Sequence, residues 1–115
     1  MLLIIYKFME FDSLIFSAEL GSDTVPVLDL HGLSQDQAKH EVLDFLSREH
    51  AGIPRKDYKV VKIIAGSGSG AIQRLLTNIL TKNSLNFIVH HQPQTYPVIS
   101  KAVLFVVLAP NTPIT

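Results

Sequence analysis

Residues 27–32, Val-Leu-Asp-Leu-His-Gly, form a short apolar run that carries one acid and one imidazole. Side chains two apart on a strand point to the same side. A strand here would therefore place Asp29 and His31 together on one face and the two leucines on the core-facing side. The closing glycine allows the backbone to turn sharply. We expect a strand that presents a polar pair at its end.

A helix start follows this strand at once. Ser34 is a favourable N-cap, and Gln37 three residues later completes a capping box. Apolar residues then recur at helical spacing as far as His50, which predicts a helix over 34–50. A strand, a tight turn and a helix N-terminus often present functional groups at the edge of a sheet. The structural alternative is that Asp29 caps a turn and His31 is a histidine of the fold.

The remaining elements alternate between β-branched runs and helical periodicity. They are a strand at 58–65, a glycine-rich turn at 66–70, a helix at 71–80, a strand at 85–91, a loop at 92–100 and a strand at 101–109. The order is β-α-β-α-β-β. Helical crossovers favour parallel pairing of the first strands, and the last strand is expected to be antiparallel to a neighbour.

The N-terminal residues are apolar but too few to span a bilayer, which needs about 20 such residues. No basic segment or small-residue cleavage site marks a signal peptide, so we expect no membrane association. Residues 1–8 fit a strand or a helical turn laid on the core; if translation instead starts at Met9, they are not part of the protein. A short helix is expected at 11–20. The chain has no cysteine, which fits the cytoplasm.

Charge is balanced overall but unevenly distributed. The net charge is zero. Residues 1–53 contain three basic and nine acidic residues, and residues 54–115 contain seven basic residues and one acid. This asymmetry favours a basic face for a polyanion. The alternative is that the two halves interleave in space and their charges cancel; the sequence also leaves the oligomeric state open.

The glycine-rich turn has the composition of an anion site. Backbone N–H groups at a helix N-terminus attract phosphate, and glycine permits its close approach. The spacing matches neither a P-loop nor a dinucleotide fingerprint, and such a turn can also be purely structural. The candidate phosphate contacts are Gly66, Ser67, Gly68, Ser69, Gly70, Lys62 and Arg74.

The two turns together suit phosphodiester cleavage. In a β-α-β unit both strand ends open onto one edge of the sheet, so a phosphate held by the glycine turn would face Asp29 and His31. His31 is the candidate general acid or base. Asp29 would orient it or bind a metal-held water, with Mg²⁺ or Mn²⁺ as the candidate ion. The sequence indicates no other cofactor.

The longer string resembles the small MutS-related (Smr) domain family. Its Leu-Asp-Leu-His-Gly hallmark is matched in full at residues 28–32, and its second hallmark keeps both glycines at 65–68, Ala-Gly-Ser-Gly. The resemblance covers residues 25–109, leaving an extension at 1–24 and a tail at 110–115. It implies an α/β (α+β), two-layer fold in which two helices cover a mixed four-stranded sheet, similar to the C-terminal domain of a bacterial translation initiation factor. It also implies a nucleic-acid-binding endonuclease that nicks DNA or cleaves RNA, with Asp29, His31, Gly66 and Gly68 as motif residues.

The second motif departs from the family at two positions. Ala65 stands where the family has His or Thr, and Ser67 stands where a basic residue is usual. The glycine stretch that often precedes the last strand is absent; His90 and His91 could substitute for it, one on each side of the sheet, and Tyr96 could stack on a base. The alternative function is therefore a non-catalytic module that binds nucleic acid or protein. A protein-interaction domain without nucleic-acid binding is a third reading, favoured by the neutral pI of about 7.0.

Overall fold

A computed structural model describes residues 2–21, 25–66, 68, 70–82 and 85–112, with residues 2–10 described by their backbone. Helices and strands follow in the predicted order after an N-terminal helix. They are α1 (Leu2–Leu20), β1 (Val27–Asp29), α2 (Gln35–Ala51), β2 (Lys59–Ile64), α3 (Ala71–Thr81), β3 (Ile88–Gln94) and β4 (Ser100–Leu108). No helix in the described residues is long and apolar enough to cross a membrane.

The four strands form one mixed sheet in the order β1-β2-β4-β3. The pair β1 and β2 is parallel, whereas β4 is antiparallel to both β2 and β3. The predicted α+β architecture and strand directions are thereby confirmed. Because β1 and β2 are parallel, their C-terminal ends lie at the same edge of the sheet, with Asp29 opposite Ile64.

The main core lies between the sheet and the helices α2 and α3. It contains Leu30, whose side chain is 1% exposed, together with fully buried side chains of both helices and the central strands. The start of α2 is fixed by the expected capping box. The Ser34 hydroxyl accepts the N–H of Gln37 at 3.2 Å, and the Gln37 side chain accepts the N–H of Ser34 at 3.0 Å. These bonds satisfy donors that a helix N-terminus leaves unpaired.

A third layer covers the opposite face of the sheet. The N-terminal segment is one continuous helix, α1, where the sequence suggested a strand or helical turn followed by a separate short helix. Phe11, Ile15 and Ala18 recur at helical spacing and pack on Phe105 and Val107 of β4. The extension therefore supplies the apolar cover for the second face of the sheet.

A buried carboxylate fastens the end of α1. Glu19, 8% exposed, accepts the N–H groups of Thr95 at 2.8 Å and Tyr96 at 2.6 Å, and the Thr95 hydroxyl at 3.1 Å. Charge-assisted bonds of this kind are stronger than neutral ones. They join α1 to the connection between β3 and β4.

Strand β3 lies three residues further along the chain than predicted. The loop prediction for 92–100 was wrong at its start, because the strand continues through Pro93 to Gln94. Proline removes a backbone donor, which suggested a loop, but β3 is an edge strand with a register shift at this point, where proline is tolerated.

The beginning of the C-terminal tail is held by side-chain hydrogen bonds of Asn111. The Asn111 side chain accepts the N–H of Arg55 at 2.7 Å and donates to the carbonyl of His50 at 2.9 Å. It thereby ties the tail to the end of α2.

Candidate nucleic-acid site

The first motif forms a tight turn at the end of β1. The strand ends at Asp29, and the Asp29 carboxylate accepts the backbone N–H of His31 at 2.9 Å. His31 therefore lies in the turn, and the expectation that it shares a strand face with Asp29 was wrong. Gly32 follows with φ +81°, a left-handed conformation that suits glycine. Asp29 holds the main chain of His31, whose ring is exposed to solvent.

The second motif passes next to the first. Gly66 has φ +86°, and a methyl group added there would lie 3.8 Å from the Cα of His31. The carbonyl of Gly66 accepts a hydrogen bond from the Gln73 amide at 3.2 Å, which ties the turn to α3. The predicted juxtaposition of His31 with the glycine turn is therefore present in the structure.

The glycine turn leads into the N-terminus of α3. Gly70 is the N-cap, with φ +87°, and among the described residues no side chain caps this helix. The guanidinium of Arg74 lies close by, since a methyl group added at Gly70 would be 3.2 Å from its Nη1 atom. Open N–H groups, the positive end of the helix dipole and an arginine together favour an anion.

These elements enclose a cleft of about 380 Å³, called here the turn cleft. It is bounded by the His31 turn, the glycine turn and the first turn of α3, and no carboxylate lines it in the described residues. Its lining residues are Leu30, His31, Gly32, Leu33, Ala65, Gly66, Gly68, Gly70, Ala71, Ile72 and Gln73. Ser67 and Ser69, both candidate phosphate contacts, lie outside the described residues.

Two of the residues considered as contacts lie away from this cleft. Lys62 is on the sheet face that α1 covers, and its Nζ stands 5.9 Å above the ring of Phe105. Tyr96 lies beside α1, where its ring meets that of Phe16 edge-on at 5.9 Å. Neither side chain lines the turn cleft.

His90 and His91 face opposite sides of the sheet, as expected. His90 faces α1, where its ring stacks on Phe11 at 5.6 Å and bonds Gln92 at 3.0 Å. His91 faces α3, and burial lowers its pKa below the ordinary value of 6.5, with a smaller contribution from the neighbouring His90 charge. His91 is therefore neutral at pH 7.

A second cleft, called here the α3–β3 groove, adjoins the first and has a volume of about 630 Å³. Its lining residues are Gly70, Gln73, Arg74, Thr77, Asn78, Thr81, His91, Gln92, Pro93, Lys101 and Leu104. The sequence singled out Gly70, Arg74 and His91 as separate candidates but did not predict that they line one groove. Its signal was the polar stripe of α3 formed by Arg74, Thr77, Asn78 and Thr81, which share one helix face.

The described residues contain no group of three or more His, Asp or Glu side chains that could hold a metal ion. Asp29 supplies one carboxylate next to the turn cleft. Mg²⁺ is commonly held by one or two carboxylates together with substrate phosphates. The donor set therefore fits a metal that arrives with a phosphate better than one bound by the protein alone.

Comparison with known proteins places this arrangement in a family. The model of the Smr domain family matches residues 28–108. The chain belongs to the Smr domain family. Its fold is similar to the crystal structure of the Smr domain of Thermus thermophilus MutS2, with a TM-score of 0.62 and 23% identity over 75% of this chain and 100% of that one. Comparison with curated proteins gave no match. Helix α1 of this Smr domain protein precedes the matched range.

Proposed function

We propose that this Smr domain binds nucleic acid at the turn cleft and cleaves a phosphodiester bond there. The observation that carries the proposal is the single cleft shared by the His31 turn and the glycine turn. An exposed imidazole and an anion-binding helix N-terminus then face the same small volume. DNA and RNA carry the same phosphodiester, so both are candidate substrates.

Phosphate binding falls to the glycine turn and α3. The first turn of α3 lines the cleft, no side chain in the described residues caps its N–H groups, and the absence of side chains at Gly68 and Gly70 leaves room for close approach. Arg74 adds a positive charge beside Gly70. An arginine beside a helix N-terminus strengthens phosphate binding through charge-assisted hydrogen bonds.

His31 is the proposed general acid or base. Its ring is exposed, and its main chain is next to the glycine turn. As a base it would take the proton of the attacking water or hydroxyl, and as an acid it would protonate the leaving oxygen. Asp29 positions His31 through the backbone N–H. A divalent ion bound with the phosphate would supply charge stabilisation.

The second candidate is a binding module without catalysis. The Asp29 carboxylate bonds the main chain of His31, and no bond in the described residues links it to the imidazole ring. Ala65 is buried and offers the cleft no polar group. Both observations favour recognition of a phosphate without its hydrolysis.

The test compares wild type, His31→Ala and His40→Ala on labelled single- and double-stranded DNA and RNA. Each substrate is incubated with Mg²⁺, with Mn²⁺ or with a chelator. His40 is an exposed histidine on α2 and serves as the matched control. We expect cleavage by wild type and His40→Ala, and its loss in His31→Ala.

Three results would change this proposal. Binding without cleavage, unaltered by His31→Ala, would support the binding module. Cleavage that survives His31→Ala would remove His31 from the reaction. Neither binding nor cleavage at low salt, where phosphate contacts are strongest, would reject both candidates and direct the search to protein partners.

A further inference from the structure

The α3–β3 groove is positively charged and open to solvent. Arg74 on α3 and Lys101 on β4 line it, both are exposed, and neither forms an ion pair with the described residues. No Asp or Glu is among the lining residues. A groove with unpaired cations and no carboxylates attracts a polyanion.

The groove also offers groups that suit a nucleobase. Leu104 and Pro93 line it with apolar atoms, while the exposed Asn78 presents an amide that can bond base edges. The neutral imidazole of His91 has one donor and one acceptor nitrogen and can stack on a ring. Sites for single-stranded nucleic acid combine cations that contact the phosphates with surfaces on which the bases can stack.

The groove is continuous with the turn cleft. Gly70 and Gln73 line both, and Arg74 lies at their junction. A strand whose phosphate sits at the N-terminus of α3 can therefore run directly into the groove. The volume of about 630 Å³ lies within the range of roughly 300–1,000 Å³ that holds small ligands.

We propose that the α3–β3 groove binds the nucleotide next to the phosphate held in the turn cleft, and that it selects single-stranded nucleic acid. Lys101 contacts the flanking phosphate, and the base lies against His91 and Leu104. This inference rests on the proposed nucleic-acid binding but not on catalysis. A base in a duplex is stacked and paired, and taking it out costs a few kcal/mol, so duplexes bind less tightly.

The test measures binding in the His31→Ala background, so that cleavage does not interfere. Fluorescence anisotropy with 12-nucleotide single strands of RNA and DNA, and with the matching duplexes, is recorded from 25 to 200 mM salt. The variants are Lys101→Ala and His91→Ala. Lys56→Ala is the control, since Lys56 is an exposed lysine before β2, at the opposite edge of the sheet.

Single strands should bind at least tenfold more tightly than duplexes. Lys101→Ala should weaken single-strand binding about three- to tenfold at low salt. It should also reduce the slope of log K against log salt by about 0.7, the value for one phosphate contact. His91→Ala should weaken binding while leaving that slope unchanged, because a neutral ring displaces no counterions. Lys56→Ala should match its parent in affinity and slope.

Other outcomes separate this inference from the proposed function. If Lys101→Ala and His91→Ala bind like Lys56→Ala while the wild type still cleaves, the groove is not part of the site although the function stands. Equal affinity for duplexes and single strands would also overturn the inference. If the groove variants behave as expected but the wild type never cleaves, the groove stands and the endonuclease fails. No binding of any nucleic acid would overturn both, and a protein partner would replace them.

Discussion

Substituting two glycines of the same turn separates backbone strain from ligand contact. Gly66 has φ +86°, whereas Gly68 is not in the left-handed region. A methyl group added at Gly66 would meet the Cα of His31 at 3.8 Å, which is ordinary contact, so Gly66→Ala is not resisted by a clash. Its destabilisation comes from the left-handed backbone alone, about 1–2 kcal/mol.

The expected shift in melting temperature follows from the size of the chain. Unfolding entropy of about 2.1 cal/mol/K per residue gives about 240 cal/mol/K for 115 residues. Each kcal/mol then lowers the Tm by about 4 °C, and Gly66→Ala should melt about 4–8 °C below wild type. At Gly68 no described atom lies within 4 Å of an added methyl group. Gly68→Ala should be as stable as wild type or up to about 1 kcal/mol more stable, because alanine restricts the unfolded chain.

The affinity for nucleic acid should follow the opposite order from stability, with the larger loss in Gly68→Ala. Gly68 lines the turn cleft, so an added methyl group would take up space where the phosphate is proposed to approach the backbone. Gly68→Ala should therefore lose affinity for single-stranded oligonucleotides at full stability. Thermal unfolding by circular dichroism and anisotropy titration give the two readouts. Equal melting temperatures for wild type and Gly66→Ala would refute the backbone argument, and undiminished binding by Gly68→Ala would remove Gly68 from the phosphate site.

Two further predictions concern the buried Glu19 and the partly buried His91. Glu19→Ala leaves two backbone donors and a hydroxyl of the β3–β4 connection without their acceptor, so it should lower the free energy of unfolding by about 3 kcal/mol. Urea unfolding measures this change. The control is Asp12→Ala, on the exposed side of the same helix, which should change the free energy of unfolding by less than about 0.5 kcal/mol. Burial lowers the pKa of His91, so the His91 ring binds a proton more readily in the unfolded chain than in the folded one. The stability that the neutral ring contributes is therefore complete above pH 6.5 and is lost as the pH falls below that value. The difference in unfolding free energy between pH 7.5 and 5.5 should therefore be smaller in His91→Gln than in wild type, and an equal difference would contradict the argument.

Local signals were sufficient for much of the fold. The capping residues Ser34 and Gln37 lie three positions apart, so their reciprocal bonds depend only on the helix they start. Hydrophobic periodicity likewise marked α2, α3 and the two central strands, because it reflects which side of each element is buried. The motif at residues 28–32 and the glycine pair at 66 and 68 indicated the family that the full chain matches.

Signals that depend on neighbours in space were misread. Pro93 suggested a loop, but β3 is an edge strand and needs no donor there. Alternation placed His31 on the face of Asp29, whereas the Asp29 carboxylate turns the chain before His31. Lys62 lies only four residues before Gly66 in the sequence. Side chains along a strand alternate between the two faces of the sheet, however, and Lys62 faces α1, away from the turn cleft.

The sequence alone determined the elements, their order and the two turns that carry the candidate chemistry, because capping, turn formation and periodicity act within a few residues. The tertiary structure decided which of these groups meet. The approach of Gly66 to His31 depends on the parallel pairing of β1 and β2, and the α3–β3 groove joins Arg74 to Lys101 across 27 positions of sequence. Such contacts depend on how the sheet and helices pack as a whole, and no local pattern encodes the distance between them.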